Sequence, residues 1–322
     1  MCEIVLPHHA PALKGFIIYK HEPVIRAVRR IIRWQLKYAL DVLRQGTNDP
    51  DRTVHEVRKT LKRIRAVLRL VRTEIGEEQY KQYNIHLRDT ARKIAPLRDF
   101  AVTASTLKLV AAQSGHAFRN EINTLSRELE ADYIETANKL FKERNILGEV
   151  EDDILKVSEL PKQLVLEHKD FRLFYGGLAQ VYGRGRERLR QTLRDPSVQN
   201  FHDLRKRVKY LWHIHQILRR SWPRMFNLMS KTLEETSEKL GNEHDLAILS
   251  QYVTNRYESV QKIEEFNPLL HYIDALRETL RTDILSLAFY LYAEKPADFT
   301  RRMQKYWNIS REEPVKKRRR QQ

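Results

Sequence analysis

A ten-residue stretch of this chain is written twice. HEVRKTLKRI at 55–64 aligns with HDLRKRVKYL at 202–211 at an offset of 147, with His, an acid, Val or Leu, Arg, Lys, Leu or Val, and Lys at matching places. Downstream, IAPLRDFAV at 94–102 aligns with LGNEHDLAI at 240–248 at an offset of 146. Upstream, a basic segment precedes Asp49-Pro50 in one copy and Asp195-Pro196 in the other. Three landmarks in one order at near-constant offset mark a duplication, so the chain is expected to fold as two versions of one unit.

That unit is helical. Apolar residues recur at helical spacing and alternating runs are scarce. With 10 Gly and 11 Pro in 322 residues, long stretches carry no helix breaker. The pattern predicts helices near 22–45, 52–74, 77–95, 98–113 and 117–144, then 170–194, 200–220, 224–240, 243–262, 268–292 and 297–307. Between the two sets, 145–169 contains Gly148, Pro161 and an acidic cluster of Glu149, Glu151, Asp152 and Asp153. The expected fold class is all-α. The expected partition is an extension over 1–20, a first half over 21–148, an acidic linker over 149–169, a second half over 170–309 and a basic tail over 310–322.

On a helix at about 100° per residue, His55, Arg58, Lys62, Arg65, Arg69 and Arg72 form one stripe roughly 26 Å long. Val57, Leu61, Ile64, Leu68 and Val71 form a second, about 110° round the axis, and this is the expected core face. The cations lie beside the core face and not opposite it, so they should border a cleft between helices. In the second copy His202, Arg205, Lys209, Trp212 and Gln216 hold the places of the first stripe, with Phe201, Leu204, Val208 and Leu211 on the apolar side. Trp212 is read either as a channel wall or as core. The preceding helices add Arg26, Arg30, Arg33 and Lys37 in one half and Arg184, Arg186, Arg188 and Arg190 in the other. Gly176, Gly177, Gly183 and Gly185 crowd the latter helix and permit close approach of another helix or of a ligand. Like charges at i, i+3 and i+4 repel, and an ordinary solvated face mixes signs. A duplicated unmixed stripe therefore points to a ligand of repeating phosphates, for which Arg supplies forked donors and Lys a mobile charge.

H-x-x-R-K-x-x-K written twice in a helical chain, with a later L-G-x-x-x-D, resembles the CHAD family, the conserved-histidine α-helical domain, over roughly residues 20–300. The resemblance implies two repeated four-helix-bundle-like halves with pseudo-twofold symmetry around a basic central channel that binds inorganic polyphosphate. It also implies an accessory or targeting role beside phosphate-handling enzymes or polyphosphate granules. The motif positions carried over are His55, Arg58, Lys59 and Lys62, then His202, Arg205, Lys206 and Lys209. Asp99 and Asp245 match the later aspartate, expected to orient the basic residues or to begin a helix. Ala95 stands where the second copy has Gly241, and Arg65 and Arg69 are answered by Trp212 and Gln216, so the second half is expected to differ in detail. The full candidate set adds Arg26, Arg30, Arg33, Lys37, Arg184, Arg186 and Arg190.

Charge supports a polyanion without choosing one. The net charge is +17, and +12 remains when Lys316, Lys317, Arg318, Arg319 and Arg320 are discounted, so the body itself is basic. Nucleic acid is the alternative partner, but single-strand binders interleave stacking aromatics and the first stripe has none. No P-loop, H-E-x-x-H or nucleophile elbow occurs. His213 and His215 fall on different faces of a helix. The acidic cluster at 149–153 is read as a solvated linker in preference to a Mg²⁺ site. The expectation is a binding module without catalysis, metal or cofactor. With no long apolar run, a single cysteine (Cys2) and no signal-like start, the sequence predicts a cytoplasmic protein without membrane insertion.

Overall fold

The computed structural model describes residues 15–45, 49–258 and 262–312. The basic cluster at 316–320 and Cys2 lie outside the described residues. Helices α1 (Val24–Arg44), α2 (Pro50–Leu70), α3 (Arg72–Ile75), α4 (Glu77–Lys93), α5 (Ala95–Ser114) and α6 (Arg119–Ala137) run into a π-helical stretch (Asn138–Glu143). Then follow α7 (Ile146–Leu155), α8 (Leu160–Gln163), α9 (Arg172–Arg194), α10 (Val198–Leu218), α11 (Pro223–Glu258), α12 (Ile263–Leu291) and α13 (Pro296–Glu312). No strand occurs among the described residues, so the fold is all-α. No helix among them is long and apolar enough to cross a membrane.

Local chemistry sets the two motif helices. Asp49 caps α2 by accepting from the Arg52 amide, and Pro50 fills the first turn, where its missing N–H costs nothing. The second copy starts differently. Ser197, not Asp195, accepts from the Asn200 amide and caps α10, while Asp195 receives the Ser197 hydroxyl and the Asn200 amide group. Both apolar stripes are core, since Val57, Leu61, Ile64, Leu68 and Val71 are fully buried, as are Leu204 and Val208.

A helix boundary expected in both copies is present in only one. Pro96 cannot donate and would clash with the preceding turn, so the first copy breaks at Ile94 between α4 and α5. The second copy has no proline there, and α11 runs unbroken for 36 residues through Gly241. The expected separation of 224–240 from 243–262 is therefore absent. Asp245 sits within the helix and does not begin one.

The segment read as a solvated acidic connection is instead folded onto the body. Val150 and Ile154 of α7 are fully buried, and α7 packs on α1 and α4. Asp153 is buried as well, paired with Lys93 at 2.7 Å and Lys156 at 3.0 Å. Glu149 meets Lys93 and Arg144. These carboxylates serve as docking contacts.

The apolar core does not divide at the midpoint of the chain. The larger cluster takes residues from α1, α2, α4 and α7 together with α9, α10 and α13. A smaller one joins Leu107, Val110, Leu125 and Leu129 to Leu249, Val253, Leu269 and Ile273. Closest approach is made by the glycines of α9. A Cβ on Gly177 would lie 2.1 Å from the Leu70 carbonyl oxygen, and one on Gly185 2.2 Å from the Tyr292 ring. These glycines serve helix packing: Gly177 lets α9 press against the end of α2, and Gly185 lets it press against Tyr292 at the end of α12.

Candidate polyanion-binding site

Helix α10 packs against α2, and α5 and α11 lie alongside. This brings the two motif copies face to face. Lys209, Arg58 and Arg205 are the positive charges that act most strongly on Lys62, and Arg98 acts on Lys209, Asp99 and Asp245. Lys62, Lys209, Arg205 and Arg98 have no hydrogen bond or ion pair among the described residues, and Arg58 donates only to the Ala91 carbonyl, at 2.8 Å. The Arg205 Nε is buried without an acceptor. Gly241 of α11 is the backbone position beside this guanidinium. A Cβ there would be 3.9 Å from the Arg205 Nε and Nη2.

Crowding without partners shifts the titration of these groups. Burial, then Lys209, Arg58 and Arg205, brings Lys62 down to about 7. Burial and Arg205 bring Lys209 down to about 8, although Asp245 opposes the shift. Lys62 is surrounded by protein yet exposed to solvent, a combination that belongs to a side chain lining an open recess and not to one packed in a core. Water reaching it moderates the depression. Asp99 and Asp245 are the acids in the recess. Burial raises both despite the pull of Arg58 on Asp99 and of Arg205 on Asp245. Neither forms an ion pair within 4.0 Å among the described residues, so they temper the field without cancelling it.

The motif histidines are uncharged near neutrality. Burial and then Arg98 bring His55 to about 4. Burial, Lys206 and Arg205 do the same to His202. Neither histidine therefore adds a cation to the recess between about pH 6 and 8. His202 also has a companion that the motif did not name: the His244 ring lies 4.1 Å from it, and both Nδ1 atoms are buried without a partner.

The remaining candidates divide into three groups. Lys59 and Lys206 are each held by the acid three residues before them, Glu56 at 3.4 Å and Asp203 at 2.9 Å. Arg65 and Arg69 both donate to Asn84, and Arg69 lies 3.6 Å from the centre of the Tyr210 ring. They continue the basic lining beyond Lys62, whereas Arg72 leaves it to pair with Glu77. The cations of the flanking helices are not gathered here. Arg186 donates to the Tyr292 carbonyl, Arg190 pairs with Glu187, Arg188 with Asp203, and Arg184 is exposed beside Arg207. Lys37 pairs with Asp41, and Arg26, Arg30 and Arg33 line a separate recess on α1. Trp212 is half-buried against the main core. His213 and His215 are buried, His215 donating to the Leu211 carbonyl.

The arrangement of a doubled His/Arg/Lys motif on facing helices, with Asp99 and Asp245 beside it, agrees with a match over most of the chain. A family model of the CHAD domain covers residues 26–254. The chain belongs to the CHAD family. The matched CHAD region takes in both motif helices and both aspartates and ends within α11. No curated protein matches the chain.

Proposed function

We propose that this CHAD protein binds inorganic polyphosphate, a long linear polyanion, along the recess between α2 and α10, as a binding module without chemistry of its own. The observation that carries this reading is the set of Lys62, Lys209, Arg205 and Arg98. Four cations from three helices, α2, α5 and α10, stand together without a partner among the described residues, Lys62 exposed and the others half-buried. Such a cluster destabilises the empty protein, and an anionic chain laid among the cations relieves that repulsion. Arg58 and Arg205 offer forked donors, the lysines follow a flexible chain, and His55, His202 and His244 gain protons as phosphates approach. The protein then acts as an accessory that carries polyphosphate or is carried to it, at a granule or beside an enzyme of phosphate metabolism.

Nucleic acid is the second reading, and the state of the aromatics weighs against it. Base stacking needs free ring faces, but Tyr210 already carries Arg69 and Trp212 packs on the core. Titration with long-chain polyphosphate at rising salt tests the proposal. With about eight phosphate contacts, affinity falls on the order of 10³-fold between about 50 and 200 mM salt. Reversing Arg58 and Arg205 together (Arg58→Glu, Arg205→Glu) removes at least two charge-assisted contacts, a loss of about 10²–10⁴-fold. A flat salt profile, or a double variant that binds as well as the parent, overturns it.

A further inference from the structure

The recess between α2 and α10 leaves one concentration of positive charge unused. On α1, Arg26, Arg29, Arg30 and Arg33 line an open cavity of about 610 Å³ together with Pro23, Val24 and Ile25, and Lys169 from the segment before α9 joins the lining. None of the cations of the central recess takes part in it. Arg30 is fixed in place: its Nε and one terminal nitrogen donate to Glu22 at 2.7 and 2.8 Å, and the latter also to the Ile17 carbonyl at 2.7 Å. Arg29 is tethered by one nitrogen to the Leu164 carbonyl at 3.1 Å, which leaves its Nε buried without a partner. Arg26, Arg33 and Lys169 have no hydrogen bond or ion pair among the described residues. Of the cations lining the cavity Glu22 pairs with Arg30 alone, so Arg26, Arg29, Arg33 and Lys169 have no carboxylate partner among the described residues.

We infer that this cavity is a second, independent phosphate-binding site, which takes a further length of polyphosphate on the outside of the molecule. The inference rests on the polyphosphate reading above. Arg26, Arg29/Arg30 and Arg33 advance along α1 by one helical turn each, about 5 Å per step and roughly 10 Å overall, and so present donors at intervals along one line. That spacing fits a chain of successive phosphates better than a single small anion. Lys169 supplies a charge from a second segment of the chain, so a bound chain is held by two elements. A chain longer than the central recess can then engage the same protein twice, and the second contact raises its apparent affinity over that of a short chain.

The test is stoichiometry. Native mass spectrometry with a short polyphosphate of defined length is run on the full chain, on Arg26→Glu/Arg33→Glu, and on Lys62→Met/Lys209→Met. Arg26 and Arg33 are exposed, so their reversal leaves the fold intact, which circular dichroism checks. The expected result is two short chains per parent molecule and one per molecule of either variant. With long-chain polyphosphate, the α1 variant should lose about tenfold or more in apparent affinity. One short chain per parent molecule, or an α1 variant that still binds two, overturns the second site. Loss of binding in the α1 variant together with an unaffected Lys62/Lys209 variant upholds the α1 site and overturns the central one instead.

Discussion

Lys209 of α10 raises the cost of protonating Lys62 of α2, the two amines standing in one recess although the duplication places them in separate copies of the motif. Burial does most of this, and the neighbouring charge adds to it. A cation held near its titration point by its surroundings responds to whatever anion enters.

Proton uptake on binding follows from that relationship. A bound polyphosphate stabilises the ammonium form and returns Lys62 from about 7 toward the ordinary lysine value of about 10. Within that window the empty site is partly deprotonated and the occupied site is not. Affinity therefore falls as pH rises from about 7 to 10. Calorimetry near pH 8 in buffers of different ionisation heat should show proton uptake, reduced in Lys62→Met. Binding with no proton exchange there would contradict the assignment.

Acid should unfold the empty protein early. Burial and nearby cations bring His55, His202 and His215 to about 4 and His213 and His244 to about 3. In the unfolded chain these groups titrate near the model-peptide value of about 6.5. Between about 6.5 and 4 the unfolded state binds more protons, so stability is lost as pH falls through that window. Thermal melts should show the midpoint dropping steeply below about pH 6. Polyphosphate should flatten the drop, because His55, His202 and His244 border its site and His213 and His215 do not.

Two glycines should behave in opposite ways. At Gly177 a methyl group would meet the Leu70 carbonyl oxygen at 2.1 Å, so Gly177→Ala should separate α9 from α2 and cost about 1–3 kcal/mol or more. At Gly241 the nearest atoms are those of Arg205, at an ordinary contact distance of 3.9 Å. Gly241→Ala should therefore stabilise the helix interior by about 0.5–1 kcal/mol. Chemical denaturation of the two variants separates packing glycine from site glycine.

Much of this arrangement was legible in the sequence because the motif and its apolar stripe share one helix, and helical geometry fixes the angle between them. Helical geometry puts the cations of His55–Lys62 and of His202–Lys209 beside the core face of each helix, while the meeting of the two segments is implied only by the family resemblance. Arg98 and His244 were missed, although a signal existed: they occupy the same column of the second repeated segment, one residue before Asp99 and Asp245. The cations of α1 and α9 lie away from the recess; periodicity shows that a face is basic but not which neighbour it meets. The Ile94 break and the unbroken α11 depend on a single proline, Pro96, which the shared pattern concealed.

Glu243 is one such residue that only the structure identifies. Fully buried next to His244, it receives Arg277 at 3.1 Å and Arg281 at 2.9 Å and ties α11 to α12. Glu243→Gln removes the charge that both arginines face, and Arg277 is itself buried. Breaking a buried ionic cluster on one side costs about 3–5 kcal/mol. Denaturation with urea should show the loss, and polyphosphate binding should weaken as the His244–Asp245 segment loosens.

The central claim is that the recess is built for polyphosphate and not for polyanions at large. Labelled long-chain polyphosphate bound to the full chain at physiological salt, challenged with unlabelled polyphosphate, single-stranded DNA, duplex DNA, RNA and ATP, tests it directly. The account predicts displacement by polyphosphate at concentrations far below those at which any nucleic acid or ATP competes. Equal displacement by RNA or single-stranded DNA would contradict it and leave a basic surface without a preferred partner.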